Sequence, residues 1–158
     1  TDAVNTSERW LDIARRDAEA LTTERDAADR EALETALGLE PGGTIPPAFR
    51  SDFKRLEESQ KRRATRSLRD GIDRILVDLA SLYRDVLTIQ LNAQTELVNE
   101  QHRNQITEVA NQSTAALTLQ RLDAISLARH RIDANVKDTM TLDALAVVLR
   151  KAKAESSK

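Results

Sequence analysis

Residues 68–87 read LRDGIDRILVDLASLYRDVL. Leu68, Ile72, Ile75, Leu76, Leu79, Tyr83, Val86 and Leu87 recur there at i, i+3, i+4 spacing. That period winds a broad apolar face onto one side of an α-helix and predicts the central helix of a bundle. Gly71 inside the run costs about 1 kcal/mol against Ala. It marks either a close helix crossing or a break between two helices. The preceding stretch, KRLEESQKRRATRSLR at 54–69, is nearly all polar. The helical segment expected over about 49–91 therefore has two unlike halves.

Upstream, a first helix is expected from about Ser7 to Leu37. Asn5-Thr6-Ser7-Glu8 has capping-box spacing at its start. Trp10, Ala14, Ala18, Leu21, Ala28, Ala32, Leu33 and Leu37 follow at helical spacing. The stripe is mostly alanine, so a partner helix can come close while little area is buried per residue. Gly38 is a natural stop. The stretch GLEPGGTIPPA at 38–48 holds all three prolines and three of the four glycines. It is a loop, and the segment expected to be most flexible.

Downstream, three shorter helices are expected. Asn99 caps one over about 100–111 with Ile106, Val109 and Ala110. Ser113 caps one over about 114–134, where Leu117, Leu119, Leu122, Ile125, Ala128 and Ile132 cover more than one face and predict burial on two sides. Asn135 caps the last over about 136–152, with Asp138 at capping-box spacing and Met140, Leu142, Leu145, Val148 and Leu149 as apolar positions. The tail from Lys151 to Lys158 is polar and expected to fray. The division is then 1–38 as the first helix of an extension, 39–48 as loop, 49–152 as the main helical domain and 153–158 as tail. The predicted fold is an all-α bundle of about five helices with a long helical hairpin extension.

Composition narrows the chemistry. The chain has 158 residues, with 24 basic against 26 acidic side chains and a net charge of −2, so no global field draws it to nucleic acid. Aromatic residues are only 3%, too few for base-stacking platforms. The absence of cysteine excludes disulfides, thiolate metal sites and cysteine nucleophiles, and fits a reducing compartment. No apolar run reaches the roughly 18 residues of a membrane span, and no secretory signal is visible. The chain opens on Thr1 rather than Met, which is read as the start of an excised fragment.

Charge is distributed unevenly. Residues 1–38 hold ten acidic and five basic side chains, net −5, whereas residues 54–69 hold seven basic and two acidic, net +5. An antiparallel hairpin that lays one against the other is expected. Each exposed pair adds at most about 0.2–1 kcal/mol, so charge selects the register and the alanine stripe makes the contact.

No catalytic constellation emerges. Gly38 to Thr44 approaches a phosphate-binding loop but lacks the lysine after its last glycine and follows a helix rather than a strand. His102 and His130 have Asn99 and Leu127 three residues before them, not the glutamate of a di-metal bundle motif. No serine lies in a Gly-x-Ser-x-Gly elbow. Arg62, Arg66 and Arg69 share a helix face and can track phosphates; pairing with the acidic first helix is the favoured alternative for the same cluster. Arg84-Asp85 interrupts the most apolar stretch, and is read either as a bridge between neighbouring helices or as a polar contact at a subunit seam.

Three stretches carry a resemblance. Asp78 to Leu87, DLASLYRDVL, has the aromatic-Arg-Asp-hydrophobic-Leu signature of bacterial clamp-loader subunits. Arg121 to Arg129, RLDAISLAR, and Asn135 to Leu145, NVKDTMTLDAL, are similar to that family's last two helices, with Asp143 where the family has Glu. Their order and spacing resemble the C-terminal domain of DNA polymerase III delta-prime subunits. Ala18 to Ala28 and Gln60 to Arg66 resemble a helical insertion of the actinobacterial members.

The resemblance implies a role in DNA replication. The implied role is a non-catalytic collar that joins the delta and gamma/tau subunits of the ATP-driven clamp loader, and through them the sliding clamp and primed DNA. It implies a cytoplasmic location, and in this stretch no active site, cofactor, membrane contact or small-molecule substrate. Tyr83, Arg84, Asp85, Met140, Leu145, Val148 and Leu149 are the expected interface residues. The alternative is a helical nucleic-acid-binding module that uses the basic 61–69 face.

Overall fold

The computed structural model describes residues 2–150, and every regular element among them is helical. Helix α1 spans Asp2–Ala36 and α2 spans Arg50–Gln90; α3 is Arg103–Asn111, α4 Ala115–Asp133 and α5 Asp138–Arg150. Short 3₁₀ turns at Pro47–Phe49 and Glu100–His102 lead into α2 and α3. The expected all-α class and number of helices are therefore observed. Among the described residues, no helix is long and apolar enough to cross a membrane.

The chain divides into two compact units. Asp12–Gly71 forms a hairpin unit; Thr1–Leu11 with Ile72–Lys158 forms a bundle unit. The division thus falls within α1 and α2 and not at the loop, which joins two helices of the same unit. The expected tail at 153–158 lies outside the described residues.

In the hairpin unit the helices run antiparallel, as the charge pattern predicts. Gly71 lies against Ala14, a Cβ built on it falling 3.3 Å from the alanine Cβ. Thr22 and Leu68 line one shallow groove, Gln60 Nε2 donates to the Asp26 carbonyl at 2.9 Å, and Arg30 stacks on Phe53. Gly71 thus marks a close crossing inside an unbroken helix. The contact stripe on α1 is shifted from the expected one. Ala14 and Ala18 are buried, but Leu21 is 62% exposed and Ala28 and Ala32 face solvent. Thr22, Asp26 and Asp29 take the facing positions, because polar groups can pair across the seam where larger apolar chains would prop the helices apart.

The loop is built on local bonds. Gly38, at φ +67°, sits in the left-handed region that glycine enters without a Cβ clash. Its N–H donates to the Thr35 carbonyl and the Leu39 N–H to Glu34, closing a Schellman motif. The Glu34 carboxylate, 5% exposed, accepts from Arg30 Nε at 3.1 Å and from the Gly42 N–H at 3.4 Å.

The bundle unit holds the larger core. Ile72, Leu76 and Val86 of α2, Ile106 and Ala110 of α3, Ile125, Ala128 and Ile132 of α4, and Leu142, Leu145 and Ala146 of α5 are all buried. Several helix ends differ from expectation. α1 begins at Asp2, so the supposed capping box lies inside it, and Ser7 is buried and donates its hydroxyl proton to Asp143. Thr114, not Ser113, caps α4 by accepting from the Leu117 N–H. Asn135 does not stand directly before the helix it was expected to cap, since α5 begins three residues after it. At φ +62° it ends α4, with the Val136 N–H donating to the Arg131 carbonyl, and α5 starts at Asp138. Asn92, at φ +50°, ends α2 in the same way. Asparagine tolerates the left-handed region better than other non-glycine residues.

Candidate functional site

The bundle unit has two features that go beyond its core: a polar lock on α2 with a groove beside it, and an outward apolar face on α5. The lock centres on Asp85, which is fully buried. Its carboxylate accepts from the Val98 N–H at 3.1 Å, the Asn99 N–H at 2.7 Å, Asn99 Nδ2 at 2.8 Å and Arg84 Nη1 at 2.9 Å. Asn99 Nδ2 also donates to Ser81 Oγ. Burial pushes the Asp85 carboxyl up, but the bonds from Asn99, Val98 and Arg84 outweigh it and hold the group below its ordinary value. Asp85 therefore ties the segment before α3 onto α2. Arg84 lies on the flank, where it also reaches the Glu96 carbonyl at 3.4 Å. This is the bridging reading of Arg84-Asp85. Asp85 is corrected from an interface residue to an interior one.

Two turns of chemistry surround Tyr83. On one side it is half-buried under Arg121, whose guanidinium carbon lies 5.2 Å from the ring centroid. Burial raises the phenol above its ordinary value, against the opposing pull of Arg121. On the other side Tyr83 walls a groove of about 310 Å³ with Leu79, Leu82, Val86, Ile106 and Val109. Arg121 was legible only by its place in the 118, 121, 125, 128, 132 stripe, all five of which are buried. Read singly, it is an ordinary helix charge. The groove lining had a weaker signal, since the same apolar positions serve equally as core.

α4 buries that single stripe; Leu119 and Leu127 on its other side are about half exposed. The expected burial on two sides is not found among the described residues. On α5 the expected candidates separate. Leu145 is 2% exposed, a core residue of its own unit, and is corrected from the interface set. Val148 and Leu149 are half-buried. Met140 is 65% exposed, and Ala144 and Val147 follow it at i+4 and i+7 on the same outward side. That spacing is the seam geometry of helix–helix packing. Ala144 and Val147 were missed because the apolar pattern alone does not say which of two α5 faces is taken by α4.

The basic cluster also separates. Arg63 turns inward and bonds both Asp26 and Asp29, which holds its guanidinium above its ordinary value. Arg69 is half-buried, whereas Arg62 and Arg66 face solvent. His102 Nδ1 lies 3.0 Å from Gln105 Oε1, and His130 is exposed near the end of α4. No group of three or more His, Asp or Glu side chains among the described residues is placed to hold a metal ion. No family model, curated protein or solved structure matches the chain.

Proposed function

We propose that this chain is a non-catalytic docking domain: the helical collar of a clamp-loader delta-prime subunit, joined to delta and gamma/tau subunits in the cytoplasm during DNA replication. The observation that carries the reading is the apolar stripe Met140, Ala144 and Val147, presented outward from a helix whose opposite face is sunk in the core. A stripe of that spacing supports a helix of a neighbouring subunit. The resemblance of residues 78–87, 121–129 and 135–145 to clamp-loader subunits names the neighbours. In this reading the chain performs no bond chemistry. It holds subunits that in turn act on the sliding clamp and primed DNA.

Size-exclusion chromatography of the chain mixed with delta and gamma/tau subunits tests it. The wild-type chain co-elutes with them. Met140→Asp combined with Val147→Asp abolishes co-elution while circular dichroism shows unchanged helix content. A wild-type chain that elutes alone, or a folded double variant that still co-elutes, overturns the reading. Leu145 is unsuited to the experiment because a charge there unfolds its own unit.

A further inference from the structure

The basic cluster was expected to be neutralised by the acidic first helix, and most of it is not. Asp26 and Asp29, the acids of α1 that reach across the hairpin, are both taken by Arg63. Arg55, Arg62 and Arg66 are exposed and make no ion pair among the described residues. At about 100° per residue these three fall within a wedge of about 40° on α2, and they span about 16 Å of its length. Ala64, Thr65 and Leu68 line the groove against α1, and Ala64 falls about 180° around α2 from the centre of the stripe, so the three arginines point away from the hairpin seam.

We infer that Arg55, Arg62 and Arg66 form a docking stripe for the phosphodiester backbone of a nucleic-acid duplex, gripped without regard to base sequence. Guanidinium groups match phosphate oxygens in paired hydrogen bonds, and a linear row suits a repeating anion. The stripe carries no aromatic side chain to stack on splayed single-strand bases. It carries no large apolar side chain to enter a lipid surface either, since Leu56 and Leu68 are half-buried elsewhere on the helix. Glu58 lies one turn from both Arg55 and Arg62 and lowers the local charge, so binding is modest and salt-sensitive. The stripe belongs to the hairpin unit and stands apart from the α5 reading.

Fluorescence anisotropy of a labelled mixed-sequence DNA duplex, titrated with the full chain across a salt series, tests this. Three phosphate contacts give a log–log salt slope of about −2.7, a fall of about 40-fold in affinity between about 50 and 200 mM salt. Arg62→Gln with Arg66→Gln reduces the slope to about −0.9, with helix content unchanged. Arg131→Gln, a change at an exposed arginine of α4, leaves it as in the wild type. Absence of binding at about 50 mM salt, or an unaltered slope in the double variant, overturns the proposal. So does displacement of the duplex by polyglutamate as effectively as by unlabelled duplex, which assigns the stripe to an acidic polypeptide.

Discussion

The two units of this chain hold their helices together by different means. In the hairpin unit the seam is made of Ala14, Ala18 and Gly71, with Phe53 as its one buried large apolar side chain and with Arg63 bonded to two aspartates. In the bundle unit the core is Ile72, Leu76, Ile125, Leu142 and Leu145, with a buried carboxylate tying a connecting segment down. Small residues bring backbones close but remove little apolar area from water, and area sets the hydrophobic stabilisation. The bundle unit is built to be the more stable, and the hairpin unit relies on fit and on charge register. A charged seam also makes pairing specific, since a slipped register would leave Arg63 without its aspartates.

The largest change expected from breaking this contrast is at Asp85. Asp85→Ala leaves the Val98 and Asn99 N–H groups without their acceptor and destabilises the bundle unit by about 3–5 kcal/mol, read from the urea midpoint. The carboxyl titrates below its ordinary value of about 3.9 when folded. Its contribution is therefore complete above that value and disappears as the pH falls through the depressed folded one. Asp85→Asn flattens that acid limb, and an acid limb identical to the wild type would remove Asp85 from its cause.

A smaller effect is expected at the hairpin crossing. Gly71→Val drives methyl groups into Ala14, whose Cβ, Cα and carbonyl oxygen already lie at 3.3–3.4 Å from a built Cβ. It destabilises by about 1–3 kcal/mol through overpacking. Gly71→Ala is close to neutral, because about 1 kcal/mol of helix propensity offsets the tight contact. Hydrogen exchange in residues 12–71 checks both, and slowed exchange in the valine variant would show that the helices do not meet there.

The smallest change sharpens the picture of the bundle core. The Thr118 hydroxyl is buried and has no hydrogen-bond partner among the described residues. Thr118→Val removes an unsatisfied polar atom and stabilises by up to about 1 kcal/mol in thermal unfolding. A loss of stability would show that the hydroxyl has a partner in solution.

Much of the fold was legible because it depends on local periodicity. The apolar run of 68–87 and the glycine at 38 place a helix and a stop by geometry that a few neighbouring residues dictate. The opposed charges of 1–38 and 54–69 announced the hairpin for a similar reason, since two segments joined by a short loop have few ways to meet. Asn135 was read only as a helix start, whereas its backbone also ends α4 in the left-handed region, and the two roles of asparagine look the same along the sequence. Capping at Asn5 failed because α1 continues past it, held by the Ser7–Asp143 hydrogen bond over 136 residues of sequence.

The site was less legible than the fold. Tyr83, Arg84 and Asp85 stood out as a polar interruption of an apolar run, but their roles divide by direction: Asp85 inward, Arg84 to the flank, Tyr83 between Arg121 and a groove. Met140 and Leu145 looked alike as apolar α5 positions, and one is exposed while the other is core.

By itself, the sequence determined that this protein is helical, roughly where its helices lie, and that its charges favour an antiparallel hairpin. Those outcomes follow from spacing along one chain, where each residue's neighbours are known in advance. The tertiary structure decided which α5 face is covered, which arginines are spent on internal pairs, and that a lone aspartate becomes a buried tie. Those depend on which surfaces meet across many residues of separation, and a helix with apolar groups on two sides does not carry that choice within itself.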